Sequence, residues 1–138
     1  MLFTNFEIKS LLSTLWVFVT VNYIFCDIFT LMHAPELEKL LTGSVGGTKI
    51  TEGFLLTFAF ILELPMLMIV LSKYLNYGVN RISNIVVAML MTIIQGGSLF
   101  VDKLSLHYIF FSVVEISTTI FILLLAYNWP KQINVKPC

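Results

Sequence analysis

The chain has 138 residues, of which 58% are hydrophobic and 12% charged, where an ordinary soluble domain carries roughly 25% charged residues. A domain of this size keeps much of its surface in contact with solvent, and so few polar side chains cannot cover that surface in water; the solvent is lipid. Net charge is zero and the eight Lys and Arg are scattered singly, which excludes the basic stripe that holds nucleic acid.

After a lead-in over 1–10 come four apolar runs, 11–32, 53–72, 82–101 and 107–129. Each is long enough to cross a bilayer. Four such spans use most of the chain, so 11–129 reads as a single transmembrane domain with a short tail over 130–138. The first run exceeds the apolar core of about 7 to 15 residues found in a signal peptide, and no small-residue cleavage site follows it, so it reads as a retained helix. The connections 73–81 and 102–106 are short, which makes neighbouring helices antiparallel. The predicted fold is all-α: a polytopic membrane protein with an antiparallel four-helix transmembrane bundle.

The connection 33–52 carries structure of its own. Pro35 suits a first helical position, Leu37, Leu40 and Leu41 fall on one side, and Gly43 suits the left-handed residue past a helix end. These predict a short helix on the outer membrane surface. Gly43 to Lys49 superficially resembles a phosphate-binding loop, but the Gly-Lys-Ser/Thr order is missing and no strand precedes it. A hinge or tight backbone packing fits it better.

Basic residues in short loops are retained on the cytoplasmic side. With both termini inside, that face holds Lys9, Lys73, Arg81, Lys131 and Lys136, and the other holds Lys39, Lys49 and Lys103. The expected location is therefore integral to a membrane, with both termini cytoplasmic. Tyr74, Tyr77, Tyr127 and Trp129 would form an aromatic belt at the inner interface.

Three acids fall inside the spans: Asp27, Glu63 and Glu115, with Gln95 and Asn84 in the third span. A charge at the bilayer centre costs about 2.5 to 3.5 kcal/mol even on the most lenient scale, which makes each acid a candidate functional residue. At 1.5 Å per residue, Asp27 lies roughly 8 Å below the outer end of its run, Gln95 about 9 Å, Glu115 about 12 Å and Glu63 about 15 Å. All four fall in the outer half.

Helical spacing aligns them. Trp16, Thr20, Tyr23 and Asp27 make one stripe, Asn84, Ala88, Met91, Gln95, Ser98 and Asp102 a second, and Tyr108, Ser112, Glu115 and Thr119 a third. Facing stripes predict a pocket open toward the outer leaflet, floored by Glu63 and walled by Tyr23, Trp16, Phe60, Phe111 and Met91. Pro65 breaks the hydrogen bond to the carbonyl of Ile61 and kinks the second span beside Glu63. Gly96 and Gly97 would let neighbouring backbones approach. The competing reading is plain: buried acids and amides hydrogen-bond across helices and fix packing register. Asn84, near the cytoplasmic end, fits that structural reading.

His33 and His107 sit at the outer rim near Glu36 and Asp102 but at no ligand-like spacing, so no metal site is assigned. Cys26 and Cys138 belong to opposite ends and form no C-x-x-C pair, which disfavours a thiol–disulfide oxidoreductase. No nucleophile elbow or dinucleotide fingerprint is present, and no cofactor is assigned.

Over 7–130 the chain resembles small uncharacterised four-helix bacterial integral membrane proteins. The likeness is carried by Leu15-Trp16-Val17-Phe18, Asn22-Tyr23 with Asp27, Leu41-Thr42-Gly43 with Val45-Gly46-Gly47, Gly53-Phe54-Leu55-Leu56, Asn80-Arg81 with Asn84, and Tyr108-Ile109-Phe110-Phe111 with Glu115-Ile116. That resemblance implies a fold and a bacterial inner membrane, with no reaction. Asp27 and Glu63-Leu64-Pro65 are also similar to the first-helix acid and second-helix polar-Leu-Pro element of sterol-isomerase and sigma-2-receptor type bundles. There the likeness implies a lipophilic cavity, although a further acid of that group is replaced here by Ala59.

The leading functional expectation is a protein that binds or carries a small lipophilic molecule, using Asp27, Glu63, Gln95, Glu115, Tyr23, Trp16 and Ser112. A membrane isomerase or oxidoreductase using Glu63 and Glu115 as an acid and base pair is the rival. A structural or accessory subunit is the third reading. Membrane lipid is the expected surrounding partner, and a homodimer stays open.

Overall fold

The computed structural model describes residues 4–45, 48–100 and 105–130. Helix α1 spans Asn5–Met32, α2 Ala34–Leu41, α3 Glu52–Tyr74, α4 Tyr77–Ser98 and α5 Leu106–Tyr127. A two-residue antiparallel pair, β1 (Ser44–Val45) and β2 (Thr48–Lys49), follows α2, with Ser44 opposite Lys49. Helices α1, α3, α4 and α5 are long and apolar enough to cross a membrane. The expected four-helix membrane bundle is therefore present.

Local chemistry sets the helix ends. Thr4 accepts from the Glu7 backbone N–H while the Glu7 carboxylate accepts from the Thr4 N–H at 2.7 Å, a reciprocal cap that starts α1 six residues ahead of the expected run. Charged residues in that first turn hid it from a hydropathy reading. Helix α2 opens on Ala34, with Pro35 second, one position later than the sequence suggests, and is followed by Gly43 at φ +74°, as its sequence predicts. None of its residues is buried, and Lys39 and Glu36 pair at 3.2 Å. The expected hinge after α2 is in part a short β ladder; Gly46 and Gly47 lie outside the described residues. Helix α4 begins at Tyr77, so the α3–α4 connection is only Leu75 and Asn76.

Helix α1 packs between α3 and α5, and α4 lies on α5, while α3 and α4 touch only lightly. The described residues begin beside Asn5 and end beside Trp129 at the same end of the bundle, the terminal end, where Trp129 Nε1 donates to Asn5 Oδ1; α2 and the hairpin mark the loop end. The terminal half is tight, with Ile8, Leu12, Trp16, Val19, Met68, Ala88, Ile122 and Ala126 at its centre. Toward the loop end, no described residue is buried beyond Cys26 on α1, before Pro65 on α3, beyond Met91 on α4, or before Ser112 on α5. Between α3 and α4 an apolar groove of about 290 Å³ runs past Leu64, Leu67, Ile82 and Val86.

Candidate functional site

The terminal half holds a closed polar network. Trp16 Nε1 donates to Asn84 Oδ1 at 2.7 Å, Ser72 Oγ donates to the same oxygen at 3.3 Å, and Asn84 Nδ2 donates to Asn80 Oδ1 at 2.7 Å and to the Asn80 carbonyl at 2.9 Å. Asn80 Nδ2 in turn donates to the Ser72 carbonyl at 2.6 Å. Every one of these side chains is fully buried. A network whose members satisfy one another fixes register. Asn84 has the structural place expected of it, and Trp16 belongs with it rather than with the intramembrane acids.

The loop-end half differs. Glu115 on α5 is 1% exposed, yet neither carboxyl oxygen has a hydrogen-bond partner among the described residues. The hydroxyl of Tyr23 on α1 is also buried and has no partner among them. At 1.5 Å per residue both lie about 13 Å from the loop ends of their helices, so they share one depth. Tyr23, Cys26, Tyr108 and Asp27 all lie within electrostatic reach of the Glu115 carboxyl. Burying a polar group without a partner costs free energy, and native proteins rarely leave one so. Two such groups at one level mark this as the candidate site.

Its surroundings are braced. One turn to either side of Glu115 on α5, Ser112 Oγ accepts from Gln95 Nε2 at 2.9 Å and Thr119 Oγ1 accepts from Thr92 Oγ1 at 2.8 Å, tying α5 to α4 above and below the acid. Tyr108 donates to Ser98 Oγ at 2.7 Å, and Ser98 donates to the Gln95 carbonyl at 2.7 Å. At the loop end Phe29 stacks against Phe111 and His107, with ring centroids 5.6 and 6.4 Å apart, and His33 lies 5.5 Å from His107. These aromatics join α1 to α5 above the acid.

Of the expected site residues, Tyr23, Gln95, Ser112 and Glu115 come together, and Asp27 stands exposed on the loop-end side where packing loosens. Glu63 does not join them. It is exposed, because Pro65, Met68 and Ser72 turn the opposite face of α3 to the core. The floor is thus Glu115, and the expected Glu63–Glu115 pair does not form. Phe60 is 68% exposed on that same outward side, so it does not wall the site either. A Cβ added at Gly96 or Gly97 would meet nothing within 4 Å, so these glycines mark open space rather than close helix contact.

Trp129 is a further correction. It was expected in an interfacial belt, but it is 2% exposed and donates from Nε1 to Asn5 Oδ1 at 2.9 Å, while Tyr74 and Tyr127 are exposed as a belt requires. Cys26 and Thr92 were not anticipated at the site. Cys26 sits one turn past Tyr23, and that i, i+3 relation was the available signal. Among the described residues no three His, Cys, Asp or Glu side chains gather as a metal site would require; Asp102 and Cys138 lie outside those residues.

Residues 2–135 match the model of DUF6326, a family of unknown function. The chain belongs to that family. No curated protein and no solved structure matches it. Within DUF6326, then, the assignment of a role rests on the geometry around Glu115.

Proposed function

We propose that this DUF6326 protein binds or carries a small lipophilic molecule in the loop-end half of its bundle, with Glu115 and Tyr23 receiving the molecule's polar group. The observation that carries the reading is the pair of Glu115 oxygens, buried and without donors among the described residues, with a Tyr23 hydroxyl that is buried and likewise without a partner among them. A carboxyl offers up to four acceptor sites and a phenol one donor and an acceptor, so a group with hydrogens to donate would satisfy both. Aromatic and apolar side chains around a few convergent polar groups are the usual make-up of a small-molecule site. The buried Met91 on α4 and the Phe29–Phe111 pair on the loop-end side of Glu115 would supply that apolar part. Lys9, Lys73 and Arg81 all belong to the terminal end, which supports a cytoplasmic placement of both termini and an approach to Glu115 from the outer leaflet.

Native mass spectrometry of the protein in mild detergent tests this, comparing wild type with Glu115→Gln and Tyr23→Phe. A discrete adduct on wild type that is lost from a folded Glu115→Gln protein and weakened in Tyr23→Phe is expected. Wild type free of any adduct, or one held equally by Glu115→Gln, would sink the reading and leave the acid as a packing residue.

A further inference from the structure

Glu63 is the middle residue of α3, eleven positions from Glu52 and eleven from Tyr74. That places it about 16 Å from either end of the helix. Its short side chain cannot reach the headgroups from there, as a lysine near a helix end would. It is nevertheless exposed, and no other side chain of the described residues bonds to it. Facing lipid, a carboxylate at this depth costs about 2.5 to 3.5 kcal/mol on the translocon scale. Glu63 therefore needs a partner outside its own bundle.

Its neighbours on the helix say what kind. Leu56, Ala59, Glu63, Met66 and Val70 are all exposed and follow one another at intervals of three, four, three and four. That is the spacing of a helix–helix seam, in which one polar residue at a single position sets the register. From residue 52 to 60 no α3 side chain is buried, so this half of the helix has a free flank. We propose that this seam is a self-association surface, on which two parallel copies of the chain pair through α3 with their Glu63 carboxyls facing across a two-fold axis.

A second copy fits better than a basic partner for a chemical reason. A two-fold axis sets each residue near it against itself, and two carboxyls sharing a proton are self-complementary, each oxygen finding a donor or acceptor opposite. Ala59, one turn away, adds little bulk beside the axis. The proposal is independent of the Glu115 site, which lies on another helix and faces inward.

Association is read by Förster transfer between donor- and acceptor-labelled copies in phosphatidylethanolamine/phosphatidylglycerol vesicles, over a range of protein-to-lipid ratios. Wild type should dimerise. Glu63→Gln, which keeps a donor and an acceptor, should stay close to wild type, while Glu63→Leu should weaken association roughly 5- to 30-fold. Glu63→Leu removes an acid from lipid and so poses no threat to folding. In parallel, Val70→Cys should form a disulfide between copies on mild oxidation, whereas Val86→Cys, exposed on α4, should not. A wild type that stays monomeric at every ratio, a Glu63→Leu protein that associates as tightly as wild type, or cross-linking stronger through position 86 than through position 70 would each overturn the proposal.

Discussion

Trp16 and Asn84, 68 positions apart in sequence, are joined at 2.7 Å in the fully buried centre of the bundle, and Ser72 from α3 reaches the same Asn84 oxygen. One amide therefore ties three of the four spanning helices. Removing it leaves the Trp16 N–H and the Asn80 Oδ1 short of partners and takes an acceptor from Ser72 Oγ. Each buried group so orphaned costs about 1–3 kcal/mol in general, although single polar contacts between membrane helices average only about 0.6 kcal/mol. Asn84→Ala should lose about 2 kcal/mol. Trp16→Phe should cost less, because Asn84 still accepts from Ser72. Equilibrium unfolding in mixed micelles checks the order; equal losses would show that ring packing, not the amide, holds the centre.

Arg81 closes the terminal end. Its Nε donates to the Ala126 carbonyl at 3.1 Å and a terminal nitrogen to that of Tyr127 at 2.7 Å, both in the last turn of α5, where the regular helical ladder runs out. Tyr77 donates to the Trp129 carbonyl at 2.8 Å, holding the indole over Asn5. Arg81→Gln should destabilise the protein by about 1–2 kcal/mol through lost charge-assisted bonds at a helix C-terminus. Amide exchange should rise over the last turn of α5 and at Asn128 and Trp129 before it rises elsewhere. A uniform increase along the whole chain would contradict a local clamp.

Gly96 makes the opposite expectation. Glycine inside a helix is less favourable than alanine by about 0.5–1 kcal/mol, and an added Cβ here has open space around it. Gly96→Ala should raise the thermal midpoint. A fall would mean that a neighbour occupies the space in the membrane, such as a bound molecule or a second chain.

Hydropathy and spacing made the four spans and the surface helix legible, because lipid demands long apolar helices and because Pro35 and Gly43 punctuate α2 by fixed backbone rules. The stripe from Tyr108 through Ser112 and Glu115 to Thr119 also faces inward as its spacing implies. Glu63 was misplaced for an identifiable reason. Helix α3 is apolar on every side, so its periodicity contains no signal for which face meets the core, and depth alone made Glu63 look like a companion of Glu115. The side of α3 that turns inward is decided by Pro65, Met68 and Ser72 packing on other helices, and that is a tertiary choice. Trp129 escaped similarly, since an interfacial indole and one docked on Asn5 look alike in sequence.

The sharpest separation of function from packing lies at Glu115 itself. If its carboxyl were part of a structural network, removing it would leave former partners unsatisfied and lower stability, as expected at Asn84. Among the described residues its oxygens have no partners to lose. Replacing a buried, unpaired acid by an apolar side chain of similar size removes a desolvation cost without breaking a bond. Glu115→Leu should therefore unfold at a higher temperature than wild type while losing any co-purifying molecule, the pattern of a residue kept for function at the expense of stability. Glu115→Gln should fall between the two in stability. Thermal unfolding in one detergent, with all three proteins freed of adducts, decides the matter; a Glu115→Leu protein less stable than wild type would assign the acid to packing.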